Sequence, residues 1–219
     1  MKYFILLITV FFVFSCGNKK ILYLPEINYC EISKIQDVSH AYLFYDEIQK
    51  DSVELNRKNL ISTTNWLINV DKRLTLKQAI PHLKFLQEKK KNSSHKNKEA
   101  KNYFTCNDTS RQNLGFIEFT DVVYFNDANG YDKELNSDDT SMLVFHLNDI
   151  RIITSDNKVF QADKSSLIKT INDLFNLNKS LIYLEFKDSL TFQEYISIKS
   201  IIEKLDSENI TISNNEFIY

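Results

Sequence analysis

Residues 66–80 read Trp66-Leu-Ile-Asn-Val-Asp-Lys-Arg-Leu-Thr-Leu-Lys-Gln-Ala-Ile80. Residues 182–196 read Ile182-Tyr-Leu-Glu-Phe-Lys-Asp-Ser-Leu-Thr-Phe-Gln-Glu-Tyr-Ile196. In both, apolar side chains alternate over the first five positions, as on a strand with one buried face, and then recur at helical spacing. Apolar pairs coincide at Trp66/Ile182, Ile68/Leu184, Val70/Phe186, Leu74/Leu190, Leu76/Phe192 and Ile80/Ile196. A charged turn, Asp71-Lys72 or Lys187-Asp188, divides each stretch. Thr75 stands three residues before Gln78, and Thr191 three before Glu194. Such a capping box fixes where a helix starts, because the hydroxyl accepts from the third amide while the longer side chain returns to the cap amide. The repetition predicts two related strand-turn-helix units. Part of it would be shared by any strand that runs closely into a helix.

Outward from these stretches, residues 40–45, 52–55, 102–106, 115–125, 142–147, 150–153 and 209–213 carry strand patterns rich in β-branched and aromatic residues. Helical periodicity covers 75–90, 163–177 and 191–205. The 163–177 helix has no counterpart before Trp66, so the first unit reads as a truncated copy. The fold class expected is α+β, with small mixed sheets and amphipathic helices packed on one face. Residues 39–91 form an N-terminal unit in this reading, 92–101 a basic loop, and 102–219 a C-terminal domain. The run from Lys89 to Lys101 has no apolar periodicity and marks the boundary.

The N-terminus carries an address. Lys2 precedes a run of about 12 apolar residues that ends at Ser15-Cys16-Gly17. The run is shorter than the roughly 20 residues needed to span a bilayer. Val13-Phe14-Ser15-Cys16 resembles a bacterial lipobox, so residues 1–15 are expected to be a lipoprotein signal peptide and Cys16 the lipid attachment site. Acyl chains at about 0.8 kcal/mol per buried methylene would hold the chain to a membrane. Residues 16–38, polar and carrying Pro25, read as a tether. Beyond Cys16 there remain Cys30 and Cys106. In an oxidising compartment these either pair as a disulfide or stand as separate thiols.

Hydrophobic content of 43% supports a folded body, and a net charge of −2 gives no general bias toward nucleic acid. The four histidines, His40, His82, His95 and His146, fall in no paired ligand spacing. No nucleophile elbow, phosphate loop or dinucleotide fingerprint is present. Asp127 to Glu134 superficially suggests a calcium loop, but Tyr131 and Asp132 stand where that loop requires a ligand and a glycine. Neither a metal nor a cofactor is expected. Asp138-Asp139 reads as a solvated acidic pair, and Trp66 as a core residue.

From about Met142 to Tyr219 the order strand, helix, apolar strand with charged turn, helix, closing strand resembles the periplasmic domain of the ExbD/TolR family. Leu181-Ile-Tyr-Leu-Glu-Phe-Lys-Asp188 takes the place of the family's apolar strand and Asp-Lys turn. Leu190-Thr-Phe-Gln-Glu-Tyr195 and Ile198 to Lys204 match its second helix. Family members carry an intramembrane Asp for proton coupling, and residues 3–15 contain no carboxylate. The resemblance therefore implies a domain that dimerises or binds another envelope component, without proton conduction. The function expected is that of a non-enzymatic, lipid-anchored envelope protein acting through protein contacts. It would face the periplasm or the cell surface, as a homodimer or with an envelope partner, as accessory to an energised transport or envelope-integrity complex. The alternative is a lipoprotein that binds a peptide or glycan ligand.

Overall fold

The computed structural model describes residues 20–126, 139–175, 179–205 and 209–219. Twelve strands and three helices are defined among them. In chain order they are β1 (Glu26–Ile27), β2 (Val38–Tyr45), β3 (Val53–Asn56), β4 (Asn65–Val70), α1 (Leu76–Lys91), β5 (Asn102–Asp108), β6 (Asn113–Glu118) and β7 (Val123–Asn126). There follow β8 (Asp139–His146), β9 (Asp149–Ile153), β10 (Val159–Ala162), α2 (Leu167–Leu174), β11 (Ser180–Phe186), α3 (Phe192–Ile202) and β12 (Ile210–Ile218).

Two mixed six-stranded sheets result. In the first, β2 pairs antiparallel with β3 and parallel with β4, and β4 pairs parallel with β5. In the second, β8 pairs antiparallel with β9 and parallel with β11, and β11 pairs parallel with β12. The two cores are thus the same topology, with β3-β2-β4-β5 matching β9-β8-β11-β12. Register agrees as well. Ile68 lies between Ala41 and Phe104, and its counterpart Leu184 lies between Met142 and Glu216. The repetition in the sequence is therefore a repetition in the fold.

Both capping boxes form. Thr75 and Thr191 each accept from the amide three residues on, and Gln78 and Glu194 return to the cap amides. The helices start where the sequence places them because parallel strands need a crossover, and the cap fixes its entry. The units then meet at these caps. Leu76 N donates to Leu190 O at 2.8 Å, and Phe192 N to Leu74 O at 2.6 Å. Lys77 N donates to Asp188 O at 2.9 Å, and Gln193 N to Lys72 O at 3.1 Å. Each bond is the other's image under exchange of the two units, so they face one another in a reciprocal, two-fold manner within one chain.

One continuous core joins both units, from Leu43, Trp66 and Leu83 to Met142, Leu184 and Ile196. Phe104 of the first sheet meets Phe192 and Tyr195 of α3 at 5.1 and 6.1 Å between ring centroids, while Phe186 of the second sheet meets Tyr195 at 5.0 Å. Helix α3 is thus held between the sheets, which is why it buries residues on several sides, Ser197 and Ser200 included.

Several expectations are corrected. The basic run does not divide the chain: β5 and β6 complete the first sheet, so that unit extends to Glu118. The run is the return of the β4-α1-β5 crossover, which a polar stretch without periodicity cannot reveal. Residues 115–125 form two strands, β6 and β7, in different sheets. Residues 20–38 are not a tether. Strand β1 pairs with β5, Ile27 and Cys30 are buried, and Tyr23 N and Cys30 N donate to the carboxylates of Asp71 and Asp108. These contacts span many residues and leave no local signal. The closing strand runs on to Ile218, and β10 is additional. No helix among the described residues is long and apolar enough to cross a membrane.

Candidate functional site

Cys16 and Asp127 to Glu134 lie outside the described residues, as does Asp138. Asp139 is buried rather than solvated. Cys30 and Cys106 are both buried free thiols, not a bridge. Cys30 Sγ is turned to the Phe116 carbonyl at 3.0 Å, and burial pushes both thiols above their ordinary range. Thr75, Gln78, Thr191 and Glu194 come together at the unit interface, so the caps have a tertiary role that spacing alone did not reveal. His146 Nε2 lies 3.3 Å from Glu194 Oε1, and burial lowers the pKa of His82. Among the described residues no group of His, Cys, Asp and Glu is arranged to hold a metal.

Two surfaces and one buried network stand out. On β2 the side chains of His40, Tyr42 and Phe44 project from the face opposite the core residues Ala41 and Leu43, as the two-residue period of a strand requires. Their rings stack in a row at 6.1 and 6.0 Å and are half-exposed. Residues Ile32 and Ile35 cover Leu67, Tyr103 and Phe116 farther along the sheet's outer surface. Past the end of the ladder, Ile48 in the β2–β3 turn is 93% exposed.

The second surface is a cleft of about 500 Å³ beside the last turns of α1. Its rim carries Lys84, Lys90, Lys91, Lys96 and Lys98, while Ala100, Val122 and Tyr124 give it an apolar floor. The walls are fixed. Ser62 Oγ donates to His95 O, Asn97 Nδ2 to Thr63 O, and Gln87 Nε2 to Val122 O. Lys90 lies with Nζ 5.1 Å from the Trp66 ring centroid and donates to Lys101 O and Asn102 Oδ1, both at 2.9 Å. Both acceptors are neutral, and burial alone pushes its pKa down to about 8.

Behind the cleft, Tyr124 Oη stands 3.3 Å from Tyr195 Oη, which donates to Glu216 Oε2 at 2.7 Å. Glu216 is fully buried and takes Lys199 Nζ on its other oxygen at 2.6 Å. Burial drives both tyrosines well above their ordinary pKa, so they stay protonated hydrogen-bond donors. The strand expected from the sequence ends at Ser213 and so leaves out this carboxylate, which lies beside Leu184 beyond a register shift after Ile182.

No family model, curated protein or solved structure matches this chain.

Proposed function

We propose that this chain is a non-enzymatic, lipid-anchored protein of the cell envelope that acts through contacts with another envelope protein, as accessory to an energised transport or envelope-integrity complex. The observation that carries the reading is the open aromatic ladder of His40, Tyr42 and Phe44, with Ile48 beyond it. Half-exposed aromatic rings beside polar positions such as Glu54 and Asn56 have the composition of a protein interface. The reciprocal pairing supports the same reading. A domain like that of ExbD/TolR is expected to dimerise, and here the face at Thr75 and Thr191 is occupied from within the chain. Outer faces remain for a partner of a different kind.

Anchoring rests on the sequence pattern around Cys16. Lys20, four residues later, is already ion-paired to Glu54 of β3. At about 3.5 Å per extended residue, an acylated Cys16 would keep the body within roughly 14 Å of the bilayer.

Metabolic labelling with a radioactive fatty acid tests the anchor: label on the full-length protein is expected, and Cys16→Ser should abolish it. A photo-crosslinking amino acid at position 42, followed by mild-detergent purification and mass spectrometry, tests the partner. Motor-type membrane subunits should be recovered. Recovery of the protein alone would remove the transport-accessory reading and favour the alternative of a lipoprotein that binds a peptide or glycan ligand.

A further inference from the structure

We infer that the cleft beside the C-terminal end of α1 binds a phosphate-bearing ligand with an apolar body. This inference does not rest on the contact role proposed above.

Charge is the first argument. Five ammonium groups face two carboxylates, Glu88 and Asp121, which gives the cleft a net charge of +3, although the whole protein carries −2. Basic residues in the last turn of a helix ordinarily complement its dipole, but a helix C-terminus amounts to only about half a negative charge. Lys89, Lys90 and Lys91 already exceed that. Lys84, Lys96 and Lys98 are additional, and no carboxylate among the described residues pairs with them.

Lys90 is the second argument. A part-buried ammonium is ordinarily accompanied by an anion. Here it is held by a carbonyl, an amide oxygen and the Trp66 ring, all neutral, so its charge is oriented but not compensated. An anion in the cleft would supply what is missing, and a doubly charged phosphate matches the surplus better than a single carboxylate. Lysine attracts such a group as a point charge and does not demand a fixed geometry.

The third argument is the floor. Ala100, Val122 and Tyr124 are buried apolar surface, and Val123 at the cleft edge is 47% exposed. A bare inorganic anion would leave this surface wet. A cleft of about 500 Å³ falls within the range of small-ligand sites, apolar-lined with a few charged anchors. Because the loop hydrogen bonds fix the walls, the site is preformed and ordering costs on binding are small.

Trp66 is the only tryptophan and lies under Lys90, so its fluorescence reports on the cleft through that ammonium. The full chain in non-ionic detergent would be titrated with dihexanoyl phosphatidic acid, dihexanoyl phosphatidylcholine and inorganic pyrophosphate. Saturable change with phosphatidic acid is expected, with affinity at least about tenfold above that for the other two. Lys96→Glu with Lys98→Glu turns the cleft from +3 to −1 on exposed loop positions and should weaken binding by about tenfold or more. Lys34→Glu with Lys169→Glu makes the same charge change elsewhere and should leave binding intact. After removal of detergent, phosphatidylcholine vesicles doped with phosphatidic acid that displace the short-chain ligand would identify the source as a membrane headgroup. Short-chain binding that vesicles do not compete would identify a soluble phosphate compound. Absence of saturation below about 1 mM, equal affinity for phosphatidylcholine, or indifference to the Lys96/Lys98 reversal would overturn the inference.

Discussion

Thr75 and Thr191 are partners in an isolated antiparallel bridge, so that the two N-caps of the repeated units lie against each other. Each hydroxyl serves its own helix, yet the backbone around each is held by the other unit. Replacing either threonine by alanine is expected to cost about 1 kcal/mol, the usual value of a lost cap. The double variant should depart from the sum by about 0.5 kcal/mol, because neighbouring groups that share a backbone couple. Urea unfolding of the four proteins checks this, and strict additivity would mean that each cap acts on its own helix alone.

Glu216 occupies in the second unit the place of Phe104 in the first. A buried carboxylate at a position built for an aromatic ring is tolerated because Lys199 and Tyr195 satisfy it. Glu216→Gln leaves the Lys199 ammonium, 12% exposed, without its counter-charge and should destabilise by about 3 kcal/mol. Adding Lys199→Met should recover most of that loss, since replacing both ions by neutral groups is far less costly than stranding one. Thermal unfolding of the single and double variants decides it. A double variant no better than the single would place the cost in packing rather than charge.

Lys90 gives a pH signature. Its pKa falls from an ordinary 10.5 to about 8 because burial disfavours the ammonium. Below pH 8 the group is charged in both folded and unfolded chains, and the burial penalty is present in full. Between pH 8 and 10.5 the unfolded chain binds more protons than the folded one, so this group adds stability as pH rises. Lys90→Met should flatten that part of the profile. Limited acylation at pH 8, read by peptide mapping, should find Lys90 among the most reactive lysines, and an anion in the cleft should protect it.

Gly115 shows why the Cys30 region tolerates little change. A Cβ there would meet Cys30 Cβ at 2.8 Å and Ile27 Cδ1 at 3.0 Å. Gly115→Ala should therefore cost about 1–3 kcal/mol through overpacking. It should also open the N-terminal segment, detected as faster maleimide labelling of Cys30, which is slow in the native protein because the thiol is buried and protonated. Unchanged labelling would mean that the segment yields without detaching.

What the sequence by itself determined was local. The alternation in Trp66–Val70 and Leu181–Phe186, and the Thr75/Gln78 and Thr191/Glu194 boxes, set two strands, two helix starts and their equivalence, because these depend on side-chain period and hydrogen bonds within a few residues. Residues 20–38, with mixed polarity, entered the body through Asp71, Asp108 and the pairing of β1 with β5, all far along the chain. Lys90 was one lysine in a polar run until the crossover laid it over Trp66, and Glu216 one polar residue beyond the expected strand until the packing of α3 set it against Lys199. Only the tertiary structure decided that the two units face each other within one chain, since reciprocal backbone bonds between Leu74/Leu76 and Leu190/Phe192 involve groups that every residue possesses and no side-chain pattern encodes.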